Sequence, residues 1–132
     1  MAGKILVVDD EPDVVELIAF RLRSHGYTVD TAHNGLDALF KARRKHPDLI
    51  ILDVMMDGID GLSVCEILRA QPSTRTIPVI ILTAATGEIA RVNSFAAGAA
   101  DFLNKPFSMN DLMRGVARLL TTSPKQKESV KS

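Results

Sequence analysis

Short apolar runs rich in β-branched residues alternate along the chain with longer segments in which apolar residues recur at three and four positions. The runs fall at residues 5–8, 27–31, 49–52 and 77–82, with a weaker one at 100–103. Several are almost continuously apolar, IILD and VIILT among them. Strands covered on both faces have that composition, whereas half-exposed strands alternate. Between the runs, Val14, Leu17, Ile18 and Leu22 keep helical spacing, as do Leu36, Leu39 and Phe40, and later Leu112, Val116, Leu119 and Leu120. Residues 62–68 and the Ala-rich stretch 88–97 complete the alternation. Pro12 suits a first helical turn, and Asn34-Gly35 and Ser108 punctuate helix starts.

Strand and helix in strict alternation predict an α/β domain with a doubly wound parallel sheet, because parallel neighbours need a crossover that covers a sheet face. With five such units the expected strand order is 2-1-3-4-5, the flavodoxin-like (βα)5 arrangement. After Leu120 the sequence TTSPKQKESVKS loses its apolar period and becomes polar and Lys-rich. One domain over residues 1–121 is therefore expected, followed by a flexible polar tail or linker start at 122–132.

Composition narrows the functional classes. Sixteen Lys and Arg balance sixteen Asp and Glu, so no overall field recommends nucleic acid or an anionic membrane as a direct partner. The N-terminal MAGKILVVDD has too short an apolar run for a signal segment or a membrane span. Cys65 is the single cysteine, which leaves no intramolecular disulfide and no paired-cysteine metal site. A reducing, cytoplasmic setting is expected. Cys65 itself shares a predicted helix face with Leu62 and Leu68, as a small buried apolar residue would. The basic run Lys41, Arg43, Arg44, Lys45, His46 reads as a solvated helix face suited to a helix C-terminus.

In the expected strand order, strands 1 and 3 are neighbours at the topological switch point, and ligands of such sheets sit beyond the carboxyl ends of the strands. Asp9 and Asp10 end strand 1 and Asp53 ends strand 3, so three carboxylates from distant parts of the chain converge on one crevice. Mg²⁺ is the natural counter-ion, since it takes hard oxygen ligands and is commonly held by one or two carboxylates plus a phosphate. Thr83 ends strand 4, and Lys105 follows strand 5 immediately before Pro106. A hydroxyl, an ammonium and a metal around one carboxylate suit phosphoryl transfer to that carboxylate.

The stretches ILVVDDEPD, LIILDVMMDGIDGL, IPVIILTA and GAADFLNKPF resemble, in order and at the matching strand ends, the signature motifs of response-regulator receiver domains of two-component signal transduction. The resemblance covers roughly residues 4–120. It implies that Asp53 is the phosphoacceptor, that Asp10 binds Mg²⁺ directly and Asp9 mainly through water, and that Met55 adds its backbone carbonyl. It further implies that Thr83 and Lys105 bind phosphoryl oxygens and that Phe102 is the aromatic switch residue, with Thr83. The implied donor is a phosphohistidine on a sensor histidine kinase or a histidine phosphotransfer protein. The output is protein contact or dimerisation through the face formed by helix 4, strand 5 and helix 5. On this reading the chain is no enzyme but an acceptor switch that assists its own phosphorylation and dephosphorylation.

Three departures from the family pattern stand out. Asp57 occupies a place usually held by proline, and Phe102 replaces the commoner tyrosine. Met55 and Ala85, two residues beyond Asp53 and Thr83, offer no polar side chain to orient an attacking water. Alternatives remain: the receiver of a longer regulator with a DNA-binding or enzymatic output, or a phosphatase or flavin protein of the same fold. Against the last two, Met55 stands where a phosphatase would carry a second acid, and the acidic DDEPD turn would repel a flavin phosphate.

Overall fold

The computed structural model describes residues 3–56 and 58–122. Five strands and five helices alternate: β1 (Lys4–Val8), α1 (Pro12–Ser24), β2 (Thr28–Ala32), α2 (Gly35–Lys45), β3 (Leu49–Asp53), α3 (Gly61–Ala70), β4 (Val79–Thr83), α4 (Gly87–Ala96), β5 (Asp101–Asn104) and α5 (Met109–Thr122). The strands form one sheet in the order β2-β1-β3-β4-β5, every neighbouring pair parallel. This is the order expected from the alternation. Asp57 and residues 123–132 of the expected tail lie outside the described residues.

The apolar runs lack an alternating pattern because both faces of each strand are covered. Ile5 and Val7 of β1, with Ile51 of β3 and Ile80 and Leu82 of β4, pack against α1 and α5. Leu6, Val8, Ile50, Leu52 and Ile81 point the other way, into a second core closed by α2 and α3. Successive side chains thus feed opposite cores, as the period of a strand requires. Each fully buried Leu or Ile contributes about 1.5–3 kcal/mol by leaving water, an upper estimate because unfolded chains are partly collapsed.

The helix faces differ from the sequence expectation at three places. Leu17, Leu36 and Phe40 are exposed, Leu36 to 73%. The inward face of α2 is instead Gly35, Ala38, Leu39 and Ala42. Small residues bring this helix close: a Cβ on Gly35 would collide with Ile59 and approach the Val64 side chain within 2.9 Å. Apolar spacing alone undercounted that face, since it scored the large residues and not the small ones. The start of β4 also shifts, to Val79 from the expected 77, behind Pro78, whose missing N–H cannot join a ladder.

Local signals set the helix ends. Asn34 Oδ1 accepts from the Asp37 N–H at 2.8 Å and Ser108 Oγ from the Asp111 N–H at 3.2 Å, as side chains at N-caps do. Asp60 caps α3 likewise through the Ser63 N–H at 2.9 Å. On the outer strand β2, the carbonyls of Val29 and Thr31 are taken by Arg23 and Lys41 side chains, which blunts the edge against pairing with another chain.

Candidate functional site

The parallel order brings the carboxyl ends of β1, β3 and β4 side by side, and the chemistry-bearing side chains sit there. Asp9 directly follows β1, Asp53 is the last residue of β3 and Thr83 the last of β4. Asp9 is 0% exposed, Asp53 1%, and Thr83 is buried beside them. Asp10, half-buried, completes a cluster in which one ligand oxygen from each of Asp9, Asp10 and Asp53 lies within 4.8 Å of the others. The close turn after β3 is possible because α3 begins with glycine. A Cβ on Gly61 would run into the Asp53 carbonyl and lie 2.8 Å from the Val54 Cα.

Lys105 reaches in from the loop after β5, across a cis Lys105–Pro106 bond. Its Nζ donates to Asp9 Oδ2 at 3.0 Å and lies 2.9 Å from Asp53 Oδ1. The second contact is an ion pair without hydrogen-bond alignment, so buried Asp53 Oδ1 has no well-formed hydrogen bond. Asp9 Oδ1 is engaged by the Glu11 N–H at 3.0 Å.

Electrostatics follow from this crowding. Burial pushes the Asp53 carboxyl above its ordinary value; the Lys105 contact pulls the other way, and the Asp9 and Asp10 charges push it up further. For Lys105, burial opposes the ammonium, but its close contacts with the Asp53 and Asp9 carboxylates outweigh it and hold its pKa above the ordinary value. One ammonium faces three carboxylates, a surplus of negative charge that a bound cation would offset. The oxygens present are hard ligands, and Asp53 Oδ1, with the ammonium beside it, still lacks an aligned hydrogen bond. Both features fit Mg²⁺.

The remaining candidates border this corner. The Met55 side chain is exposed, while its backbone is fixed between Val54, whose carbonyl accepts from the Gly61 N–H at 3.0 Å, and the buried Met56. Phe102 is half-buried on β5, edge-on to Phe95 of α4 with ring centroids 5.8 Å apart. The sequence reading passed over Phe95, the single aromatic of the Ala-rich segment. It also missed the bond by which Asn104 Nδ2 donates to the Ala85 carbonyl at 2.6 Å. No local pattern announces either contact, because each joins different elements.

Comparison with known proteins agrees with this geometry. The sequence matches the family described as "Response regulator receiver domain" over residues 5–117. It is 46% identical over 113 residues to the response regulator PleD of Caulobacter vibrioides, covering 86% of this chain and 24% of that protein. To the phosphate regulon transcriptional regulatory protein PhoB of Rhizobium meliloti it is 41% identical over 120 residues, covering 91% of this chain and 53% of that one. The chain thus spans between a quarter and about half the length of these relatives. Among solved structures, the receiver domain of the sensor histidine kinase PA1611 from Pseudomonas aeruginosa, with a magnesium ion coordinated in its active-site cleft, superposes with a TM-score of 0.84 at 35% identity. That match covers 92% of this chain and 100% of the other. Motifs, strand order and the acidic corner converge on one conclusion: the chain belongs to the response-regulator receiver domain family of two-component systems.

Proposed function

We propose that Asp53 accepts a phosphoryl group from a phosphohistidine of a sensor histidine kinase or a histidine phosphotransfer protein. The observation that carries this reading is the buried Asp53 carboxylate, clustered with Asp9 and Asp10 and touched by the Lys105 ammonium at 2.9 Å. An Asp53 oxygen attacks phosphorus, the P–N bond to the donor imidazole breaks, and the leaving nitrogen takes up a proton as the acyl phosphate forms. Asp10, Asp53 and the Met55 carbonyl would hold Mg²⁺, with Asp9 acting through water. Bound there, the ion offsets the crowded carboxylates and the charge of the arriving phosphoryl group. Lys105 and Thr83 supply an ammonium and a hydroxyl to the phosphoryl oxygens.

An open apolar hollow lined by Val14, Leu17, Pro106, Phe107 and Met109 borders Lys105, and supports docking of the donor beside α1. On the other flank, exposed Ile89, Val92 and Phe95 of α4, with the Asp101–Arg118 ion pair between β5 and α5, support an output by protein contact or dimerisation. Phosphorylation adds about −1.5 to −2 charges at Asp53, and Thr83 and Phe102 pass the change to that face as a population shift. We read residues 1–121 as the receiver unit and 122–132 as a tail or linker, acting alone or ahead of an output domain. In either setting the receiver is an acceptor that assists its own phosphorylation and dephosphorylation, not an enzyme acting on other substrates. A cytoplasmic setting accords with buried, unpaired Cys65. Among the described residues no helix is long and apolar enough to cross a membrane.

Incubation with acetyl phosphate, with and without Mg²⁺, followed by intact-mass measurement tests the reading. One phosphoryl group is expected on the parent in Mg²⁺, none in chelator and none on Asp53→Asn, whose amide is a poor nucleophile. Full labelling of Asp53→Asn at another residue would overturn the assignment.

A further inference from the structure

The loop between β4 and α4 is held at one residue from both sides. The Ala85 N–H donates to Thr83 Oγ1 at 3.0 Å, and Asn104 Nδ2 donates to the Ala85 carbonyl at 2.6 Å. Thr83 and Asn104 are themselves register partners at the ends of β4 and β5, and the Lys105 N–H donates to the Thr83 carbonyl at 2.8 Å. A closed ring of contacts therefore runs from Thr83 through Ala85 to Asn104 and back across the sheet.

Around this ring the loop is loosely secured. Residues 84–89 are exposed, and Thr86, at the N-cap of α4, makes no side-chain capping bond. Glu88 is paired within its own helix, to Arg91 at 2.6 Å. Among the described residues, Ala85 takes the side-chain hydrogen bond that β5 extends to the loop ahead of α4.

The ring constrains the Thr83 hydroxyl. Its oxygen accepts the Ala85 N–H, which leaves its own proton to donate. If binding a phosphoryl oxygen on Asp53 draws the hydroxyl toward β3, Ala85, tied to it through its N–H, is drawn with it. Asn104 holds Ala85 by the carbonyl at 2.6 Å, so its bond opposes that displacement.

The geometry points to Asn104 as a positioning residue that latches the β4–α4 loop in its resting arrangement, so that the contact of Thr83 with a phosphoryl group competes with the Asn104–Ala85 bond. This rests on the reading of Asp53 as phosphoacceptor and Thr83 as its hydroxyl partner. Loss of one neutral hydrogen bond shifts an equilibrium about two- to tenfold, and the exposure of Asn104 places the effect in the lower half of that range because water competes for the same groups.

The test uses the full chain labelled with ¹⁵N, with Mg²⁺ and beryllofluoride as the phosphoryl probe, in the parent, Asn104→Leu and Asn104→Ala. Both substitutions remove the donor, and the first keeps most of the side-chain volume. Both variants are expected to bind beryllofluoride about two- to fivefold more tightly than the parent. Without the probe, their Gly87 and Phe95 amide signals, away from the substituted residue, are expected to lie along the line joining the parent's free and bound positions. A purely structural role would lower the melting temperature and scatter those signals off the line. Unchanged or weaker binding, or displacements off that line, overturns the latch while leaving the acceptor reading in place, provided the parent binds. A parent that does not bind beryllofluoride overturns both.

Discussion

The two flanks of the acceptor strand are built differently. At the β1–β3 corner, Asp9 and Asp53 are buried and drawn to one ammonium at 3.0 and 2.9 Å. On the β4–α4–β5 flank, the connecting loop is exposed, α4 lacks a side-chain cap, and Phe102 is half-buried against the edge of Phe95. On the proposed reading the first flank places the reacting groups and must not move, since misplacement of about 1 Å is enough to slow a reaction a hundredfold. The same reading asks of the second another arrangement within reach of a single added charge, and the exposed loop and uncapped α4 leave room for one. So read, chemistry is assembled beforehand on the buried, rigid side, and response is left to the exposed, soft side.

Removing Lys105 strikes the rigid corner hardest. Lys105→Ala leaves buried carboxylates without their ammonium and is expected to lower stability by about 3 kcal/mol, the low end for a broken buried pair because the Lys105 side chain keeps 21% of its exposure. Urea unfolding in chelator measures this. Asp53 should still be labelled by acetyl phosphate, but the amide shifts on α4 and β5 that accompany labelling should shrink, since the cation that reads the new charge is gone. Undiminished shifts would mean that the two flanks communicate by another route.

The next effect concerns the lifetime of the phosphorylated state, which depends on residues from both flanks. Met55, beyond β3, and Ala85, beyond β4, are both exposed and offer no group to orient water toward the acyl phosphate. Orienting or general-base groups contribute about 10²- to 10⁴-fold, and partial placement less. The phosphorylated parent is therefore expected to decay slowly, and Met55→Asn with Ala85→Glu to speed decay about tenfold, followed on phosphate-binding gels. Equal decay of parent and double variant would refute the water-orienting role. If Asp57→Pro alone slows decay, the carboxylate at that position is the orienting group.

What could be read in advance divides along the same lines. The strand order and the position of Asp9, Asp53, Thr83 and Lys105 at strand ends follow from alternation, because a parallel sheet converts sequence order into spatial order. The inward face of α2 was not legible, since Gly35, Ala38 and Ala42 face the core by being small while Leu36 and Phe40 remain in water. Nor were the contacts of the soft flank. Asn104 looks like any strand-end polar residue until β4 is laid beside it, and Phe95 like a lone aromatic until Phe102 arrives from β5.

The smallest expected effect is the pH dependence of stability, small because replacing Asp53 removes repulsion and an ion pair together. Burial, reinforced by Asp9 and Asp10, raises the folded-state pKa of Asp53 above its ordinary value of 3.8. The unfolded chain then releases this proton at lower pH than the folded one. The contribution of Asp53 to stability is accordingly full below the ordinary value and lost as pH rises through the raised, folded value. Asp53→Asn keeps a neutral group at every pH. Measured in chelator, the melting temperature of Asp53→Asn relative to the parent should rise across that window and level off above it. Lys105 tempers the size of the rise but not its sign, because its pull on Asp53 is already contained in the net upward shift. Mg²⁺ should work in the opposite sense, since a ligand that binds the folded state stabilises it and the parent holds the fuller set of carboxylates. A melting difference that stays constant with pH, or falls as pH rises, would show that Lys105 alone balances the corner and that the acidic cluster has no need of a cation.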